Sequence, residues 1–416
     1  MQEKKRLLIP DEFLWPDYAG GSIANVPATV AALLDAPFSG LPPLRDELWR
    51  PMAEGVKRVV LLVVDAWGWN LLEQERARIG GFLGQTAVSG QLTSIFPSTT
   101  VAALSSLLTG AAPAQHSMVG LRLFMPDYAV ITQMLSFTPT FGKYPDALID
   151  AGLEPETFLA VPGLGEQLAA DGVETHAFKG REIVHSALSK MHDRGVTGEH
   201  GISSVADMMV QMRRLLEDKV GERLYVNAYW PMVDTLSHAY GWDDEAVAAE
   251  LRSVLHLFQA ELLDKLSAAA KDGTAVFIVA DHGQVVTPPE QRIHLDDHPQ
   301  LKEMLFMRPS GEPRTAYLYA KHGRQDDILR YIEKELSHAM AAFPADAALA
   351  AGLLGPPPHA PQTAERVGDV IVTMRQGYIL LTTNEIKKAD KMQGRHGGMT
   401  RAEMQVPWLG FRLDRR

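Results

Sequence analysis

Three apolar, β-branched runs each deliver the chain to an aspartate, and this repeated punctuation limits the possible folds more than any other feature. Asp65 closes VVLLVVD, Asp281 closes VFIVAD, and Asp234 stands just past LYVNAYW, which runs from Leu224 to Trp230. Uninterrupted apolar runs of this length read as strands buried on both faces, the mark of a parallel sheet. Helical patterns lie between them: Ser204 to Leu216 precedes LYVNAYW, Asp244 to Lys271 precedes VFIVA, and Thr100 stands just before VAALSSLLTG, which Gly110 stops. The alternation predicts an α/β fold with a doubly wound, mostly parallel sheet flanked by helices. Asp65 and Asp281 then fall at the carboxyl ends of strands and Asp234 just beyond one, where open α/β sheets bind their ligands.

Between His282 and His396 the texture changes. RTAYLYA reads as a strand, DDILRYIEKELSHAMAAF as an amphipathic helix, GPPPHAPQ as a turn and RVGDVIVTMR as another strand. The expected organisation is a main domain over 1–285 and 385–416, with a small inserted α+β subdomain or lid over 286–384. The stretch from Leu121 to about Val196 carries prolines and glycines with few clear periods and reads as irregular wall.

With 416 residues, 46% of them hydrophobic and 22% charged, the chain can bury a sizeable core. The formal net charge of -11 argues against binding a nucleic acid polymer, so an anionic substrate needs local positive charge, which a bound metal supplies. Cysteine is absent, which excludes disulfides, thiolate metal sites and a cysteine nucleophile. MQEKKRLLIPDEFLWPDY holds no signal-peptide core, and no stretch reaches the roughly 18 apolar residues of a membrane span. The expectation is a soluble, cytoplasmic protein.

Six side chains of metal-ligand type accompany these strands: Asp65, Asp234 and His238 in DTLSH, Asp281 and His282 in DHG, and His396 in GRHGGMT. Zinc takes nitrogen and carboxylate oxygen ligands in tetrahedral sets and leaves a position open in catalytic sites. Asp65, Asp281 and His282 can form one set, and Asp234, His238 and His396 another. Asp234 and His238 stand one helical turn apart, so both can face one ion. Two ions about 4 Å apart stabilise both the attacking and the leaving oxygen of an in-line phosphoryl displacement. Thr100, at a helix N-terminus, is positioned to be a nucleophile whose hydroxyl metal coordination activates.

In the order of these motifs the chain resembles the alkaline phosphatase superfamily, most closely its type I phosphodiesterase/nucleotide pyrophosphatase branch, over Val59 to Pro407. The resemblance implies an alkaline-phosphatase-like fold and two zinc ions, or other divalent metals, held by Asp65, Asp234, His238, Asp281, His282 and His396. It also implies a threonine nucleophile that contacts metal. The family's threonine lies ten residues before the glycine of a T-G dipeptide, and counting back from Gly110 gives Thr100 rather than Thr99 or Ser98. One departure stands out. Where animal-type members carry an asparagine about twenty residues after the threonine, this chain reads GLRL, which leaves Arg122 as the candidate substrate-binding residue.

The activity expected is hydrolysis of phosphodiester or pyrophosphate bonds, in a small phosphate ester or nucleotide-like substrate, through a phospho-threonine intermediate. The alternatives are a phosphomonoesterase or phosphonate hydrolase with the same metal site and, in another class, an inactive binding protein on the same fold. Each motif also has a plain structural reading: Asp65 or Thr100 can cap a helix, and Arg122 can be an ordinary ion-pair arginine. Trp67, Trp69, Phe124, Tyr240 and Trp242 can be core rather than pocket, and IHLDDHPQ a polar loop rather than a third metal site.

Overall fold

The strand Arg58–Val64 is buried at every residue and lies between two parallel neighbours, Leu224–Trp230 and Thr274–Val279. The structure, a computed structural model, describes residue 7 and residues 9–415. Register pairs Val64 with Trp230 and Val63 with Val279, so the three strands end almost level. That level edge delivers Asp65, Asp281 and the helix bearing Asp234 to one place.

The sheet has seven strands in the order Val88–Thr93, Gln405–Arg412, Thr274–Val279, Arg58–Val64, Leu224–Trp230, Glu174–Gly180 and Gly198–Ile202. All run parallel except Gln405–Arg412, which is antiparallel to both of its neighbours. The predicted mostly parallel sheet is therefore present. Its Glu174–Gly180 strand arises inside the stretch read as irregular: ETHAFKG has no apolar run, yet six of its seven residues are buried. Polar partners make this possible, since Lys179 pairs with Asp193 at 2.7 Å.

Helices cover the sheet. Val205–Asp218 starts on Ser204, whose hydroxyl accepts from the Asp207 amide, and buries Val205, Met208, Met209, Met212 and Leu216 along one stripe. The long pattern expected from Asp244 to Lys271 is broken in the structure. The helix Glu245–Leu257 runs into a π-helical turn, Phe258–Leu263, and a separate helix, Ala268–Lys271, begins on the Ser267 cap. Among the described residues no helix is long and apolar enough to cross a membrane.

A second, antiparallel sheet of seven short strands combines two stretches of chain distant in sequence. Met340–Pro344, Val370–Met374, Thr315–Leu318 and Ser310–Gly311 continue through Arg122 into Arg122–Met125, Val130–Gln133 and Thr138–Pro139. Two expectations change here. Part of the Leu121 to Val196 stretch is strand, and the helix expected to reach Phe343 ends earlier: Gln325–Tyr331 and a π turn, Ile332–Leu336, give way to Met340–Pro344, paired along its length with Val370–Met374. Cross-strand pairing overrides the helical preference of its alanines.

The two sheets are tied together beside the site. Arg314 and Glu403 form a fully buried ion pair at 2.7 Å, and Glu403 also accepts from the Gly398 amide at 2.8 Å and the Thr400 hydroxyl at 2.6 Å. These bonds hold the turn that follows His396.

Candidate active site

Asp65 and Asp281 leave adjacent strands with one oxygen each already engaged. Asp281 Oδ1 accepts from the Ala66 amide at 3.1 Å and the His282 amide at 3.0 Å. Ala66 adopts a left-handed conformation, φ 59°, which turns its N–H back toward Asp281. Asp65 Oδ2 accepts from the Tyr229 hydroxyl. The remaining oxygens, Asp65 Oδ1 and Asp281 Oδ2, are buried without a hydrogen-bond partner and lie 3.5 and 3.3 Å from His282 Nε2. Burial, with the negative charges of Asp281 and Asp234 beside it, holds the Asp65 carboxyl well above the usual carboxylate range. A cation between these groups would remove that penalty.

The second half of the site stands on the helix Met232–Tyr240, which carries Asp234 and His238 one turn apart, with His238 Nε2 and Asp234 Oδ2 separated by 3.4 Å. His238 Nδ1 donates to Gly394 O at 2.7 Å, and His396 Nδ1 donates to Ser98 O at 3.1 Å. Each of these bonds requires hydrogen on Nδ1, so each Nε2 lone pair is left for a ligand. His396 Nε2 is 3.8 Å from Asp234 Oδ1, and its ring stacks on His282 at 3.7 Å between centroids. Burial and the neighbouring His282 and His238 push the His396 imidazole well below its ordinary pKa, so it stays neutral.

Two donor groups result, Asp234 with His238 and His396, and Asp65 with Asp234 and His282, their ligand atoms lying within 4.8 Å of one another. Asp234 is common to both, whereas the motif order alone assigned it to one. Nitrogen and carboxylate donors, two orphaned carboxylate oxygens and imidazoles locked through Nδ1 fit a pair of zinc-type cations.

Thr100 opens the helix Thr100–Thr109, which Gly110 closes in the left-handed region. Its Oγ1 is 3.1 Å from His282 Nε2, whose ring is oriented by an Nδ1 bond to Gly283 O at 3.2 Å. Its neighbours face elsewhere: the Ser98 hydroxyl donates to Gly398 O at 2.7 Å, and the Thr99 hydroxyl lies beside Glu312. Thr100 is thus the hydroxyl of the three that reaches the donor cluster.

Arg122 does not join that cluster. Its Nε donates to Gly311 O at 2.9 Å and its guanidinium pairs with Glu385 at 2.7 Å. Trp67 is fully buried, Phe124 packs edge-on against Tyr319, and Trp242 packs on the main core, while Tyr240 is exposed. In IHLDDHPQ, Asp296 pairs with Lys302 and His298 bonds to Tyr331, so among the described residues that loop forms no donor group. Two residues of the site escaped sequence reasoning. Tyr229 is hidden inside an apolar strand, and Gln284, whose Nε2 donates to Asp234 Oδ1 at 2.5 Å, directly follows the D-H-G motif and could have been found from that adjacency.

A model of the type I phosphodiesterase/nucleotide pyrophosphatase family matches residues 59–399. Among solved structures, human ectonucleotide pyrophosphatase/phosphodiesterase 5 is similar at 18% identity, with 85% of this chain and 87% of that one covered and a TM-score of 0.64. The murine protein of the same name, in an inactive threonine-to-alanine form in complex with AMP, gives 18% identity, 85% and 88% coverage and 0.63. Phosphonoacetate hydrolase from Sinorhizobium meliloti 1021, in complex with phosphonoformate, gives 17%, 84% and 89%, and 0.61. These likenesses show the fold. No curated protein matches the chain.

Proposed function

The chain belongs to the type I phosphodiesterase/nucleotide pyrophosphatase family, and from that premise we propose that it is a two-zinc hydrolase of phosphodiester or pyrophosphate bonds with Thr100 as nucleophile. The observation that carries the reading is the approach of Thr100 Oγ1 to His282 Nε2, 3.1 Å, at the junction of two donor groups that share Asp234. Asp65, Asp281 and His282 would hold one ion, with Asp234, His238 and His396 around the other. When bound, such ions supply Lewis-acid charge at the reacting phosphate and lower the proton affinity of a coordinated hydroxyl.

The chain's own groups account for the rest. The helix N-terminus at Thr100 presents backbone N–H groups to phosphate oxygens. Thr100 Oγ1 forms the new bond to phosphorus as the bond to the leaving oxygen breaks, giving a phospho-threonine, and water then releases the phosphoryl product and restores the hydroxyl. Tyr229 and Gln284 fix Asp65 and Asp234, so that little reorganisation remains during the reaction. The complex of the murine protein with AMP supports a nucleotide-like small molecule as substrate. The likeness to phosphonoacetate hydrolase keeps a phosphonate as the second reading. An inactive binding protein is disfavoured, since every ligand-type side chain is present and they converge.

The test is the rate of the zinc-loaded protein on matched nitrophenyl phosphate monoester, diester and pyrophosphate substrates, with trapping of phospho-threonine at Thr100. Turnover of the diester or pyrophosphate with label on Thr100 is the expected result. Turnover with label elsewhere, or none with any substrate, would overturn the reading.

A further inference from the structure

Arg395, the residue before His396, is 8% exposed, and among the described residues its guanidinium has neither a hydrogen bond nor an ion-pair partner, its Nε being buried. Arginine cannot shed its charge at neutral pH, so a buried guanidinium without an anion is expensive and calls for explanation. The strand Gly394–Arg395 pairs with Val285–Val286, just after the D-H-G motif, which places Arg395 beside that motif and next to His396, whose imidazole its charge reaches.

The charged groups around it do not cancel it. Arg122, Arg292, Glu312 and Glu385 are its charged neighbours. Glu385 is engaged by Arg122 and by the Thr382 amide and hydroxyl, and Arg292 is engaged by Asp390. Glu312 lies 3% exposed against Gly397, the residue after His396, with one carboxylate oxygen unpartnered. Burial pushes its carboxyl up to about 8, which weakens it as a counter-ion near neutral pH. Among the described residues there is therefore, beside the proposed metal ligands, a cation with no bonded anion, flanked by Arg122 and the buried Glu312.

We propose that Arg395, with Arg122 beside it, receives a second anionic oxygen group that the substrate carries next to the phosphorus that reacts. This deepens the hydrolase reading above and rests on it. The group is the neighbouring phosphate of a pyrophosphate or a carboxylate on the ester substituent, two sources of one chemistry that a planar guanidinium binds through paired donors. A diester whose second substituent is uncharged leaves Arg395 unpaired and should be the poorer ligand.

The experiment measures calorimetric binding of methyl phosphate, phosphoglycolate and inorganic pyrophosphate to the zinc-loaded Thr100→Ala protein, with and without Arg395→Met and Arg395→Lys. With Arg395 intact, at least one of the two ligands that carry a second anionic group should bind about tenfold or more tighter than methyl phosphate, and which one identifies the source. Arg395→Met should remove about tenfold of that advantage, and Arg395→Lys should retain part of it. No preference in the intact protein, or a preference that survives Arg395→Met within about twofold, would overturn the proposal. Should Arg395→Met fail to fold, Arg122→Gln reads the same advantage: a reduced preference supports the subsite and an unchanged one rejects it. Binding is read without turnover, so failure of the hydrolase reading shows separately, as a wild-type protein that cleaves none of the esters while the binding pattern persists.

Discussion

The Tyr229 hydroxyl donates to Asp65 Oδ2 and leaves Asp65 Oδ1 facing His282. One strand thereby orients the carboxylate that ends the next, because Tyr229 pairs in register with Val63, two residues before Asp65. Tyr229→Phe should keep the fold and weaken zinc binding by about 10- to 100-fold, the usual consequence of losing a bond that orients a metal ligand. Chelator competition measures this, and unchanged affinity would show that Asp65 needs no such support.

Thr100→Ala should abolish nearly all turnover while metal content stays close to wild type, since carboxylates and imidazoles make up both donor groups. The comparison is kcat/KM beside elemental analysis. A loss of less than about tenfold, or ~1.4 kcal/mol, would remove Thr100 from the nucleophile's role.

Zinc analysis of the isolated protein should give about two equivalents, and His396→Ala should lower occupancy without unfolding the chain. The melting temperature should fall together with the metal, because ligand binding to the folded state is itself a stabilising term. One equivalent in fully active protein would reject the paired site.

Acid stability offers a test away from the metals. Burial, with Arg366 nearby, lowers His116 from 6.5 to about 3. Its Nδ1 accepts from the Met118 amide at 3.0 Å, and its Nε2 donates to Ser106 on the helix Thr100–Thr109 at 3.0 Å. The unfolded chain takes up this proton near 6.5 and the folded one only near 3, so the contribution is intact above 6.5 and is lost as pH falls toward 3, by about 1.4 kcal/mol per unit. Denaturant unfolding of chelator-treated protein should show a shallower acid slope for His116→Gln than for wild type. Equal slopes would mean that another group governs the acid limb.

Much of the site could be read from the chain because its parts are local. Apolar runs ending in aspartate, the D-x-x-x-H pair on Met232–Tyr240 and the threonine before a helix closed by Gly110 each depend on neighbours in sequence. What stayed hidden depends on long-range pairing. Arg122–Met125 is too short to read as a strand and is extended by Val130–Gln133, paired with all four of its residues, while a single pairing of Arg122 with Gly311 joins it to the distant half of the sheet. Met340–Pro344 looks helical until Val370–Met374 lies beside it. The sharing of Asp234 and, among the described residues, the unpartnered Nε of Arg395 are three-dimensional facts with no sequence period behind them.

The strand Gln405–Arg412 is last in chain order among the described strands, yet it sits inside the sheet between Val88–Thr93 and Thr274–Val279. A nascent chain that has not yet delivered it carries a slot, with the unpaired backbone of Thr274–Val279 open along one side and an apolar sequence behind it. Ribosomal stalling or premature termination before residue 405 would thus release a species with a ready template for pairing with other chains. Protection by chaperones should be needed most until residues 405–412 have emerged and paired, and metal loading should follow closure of the slot.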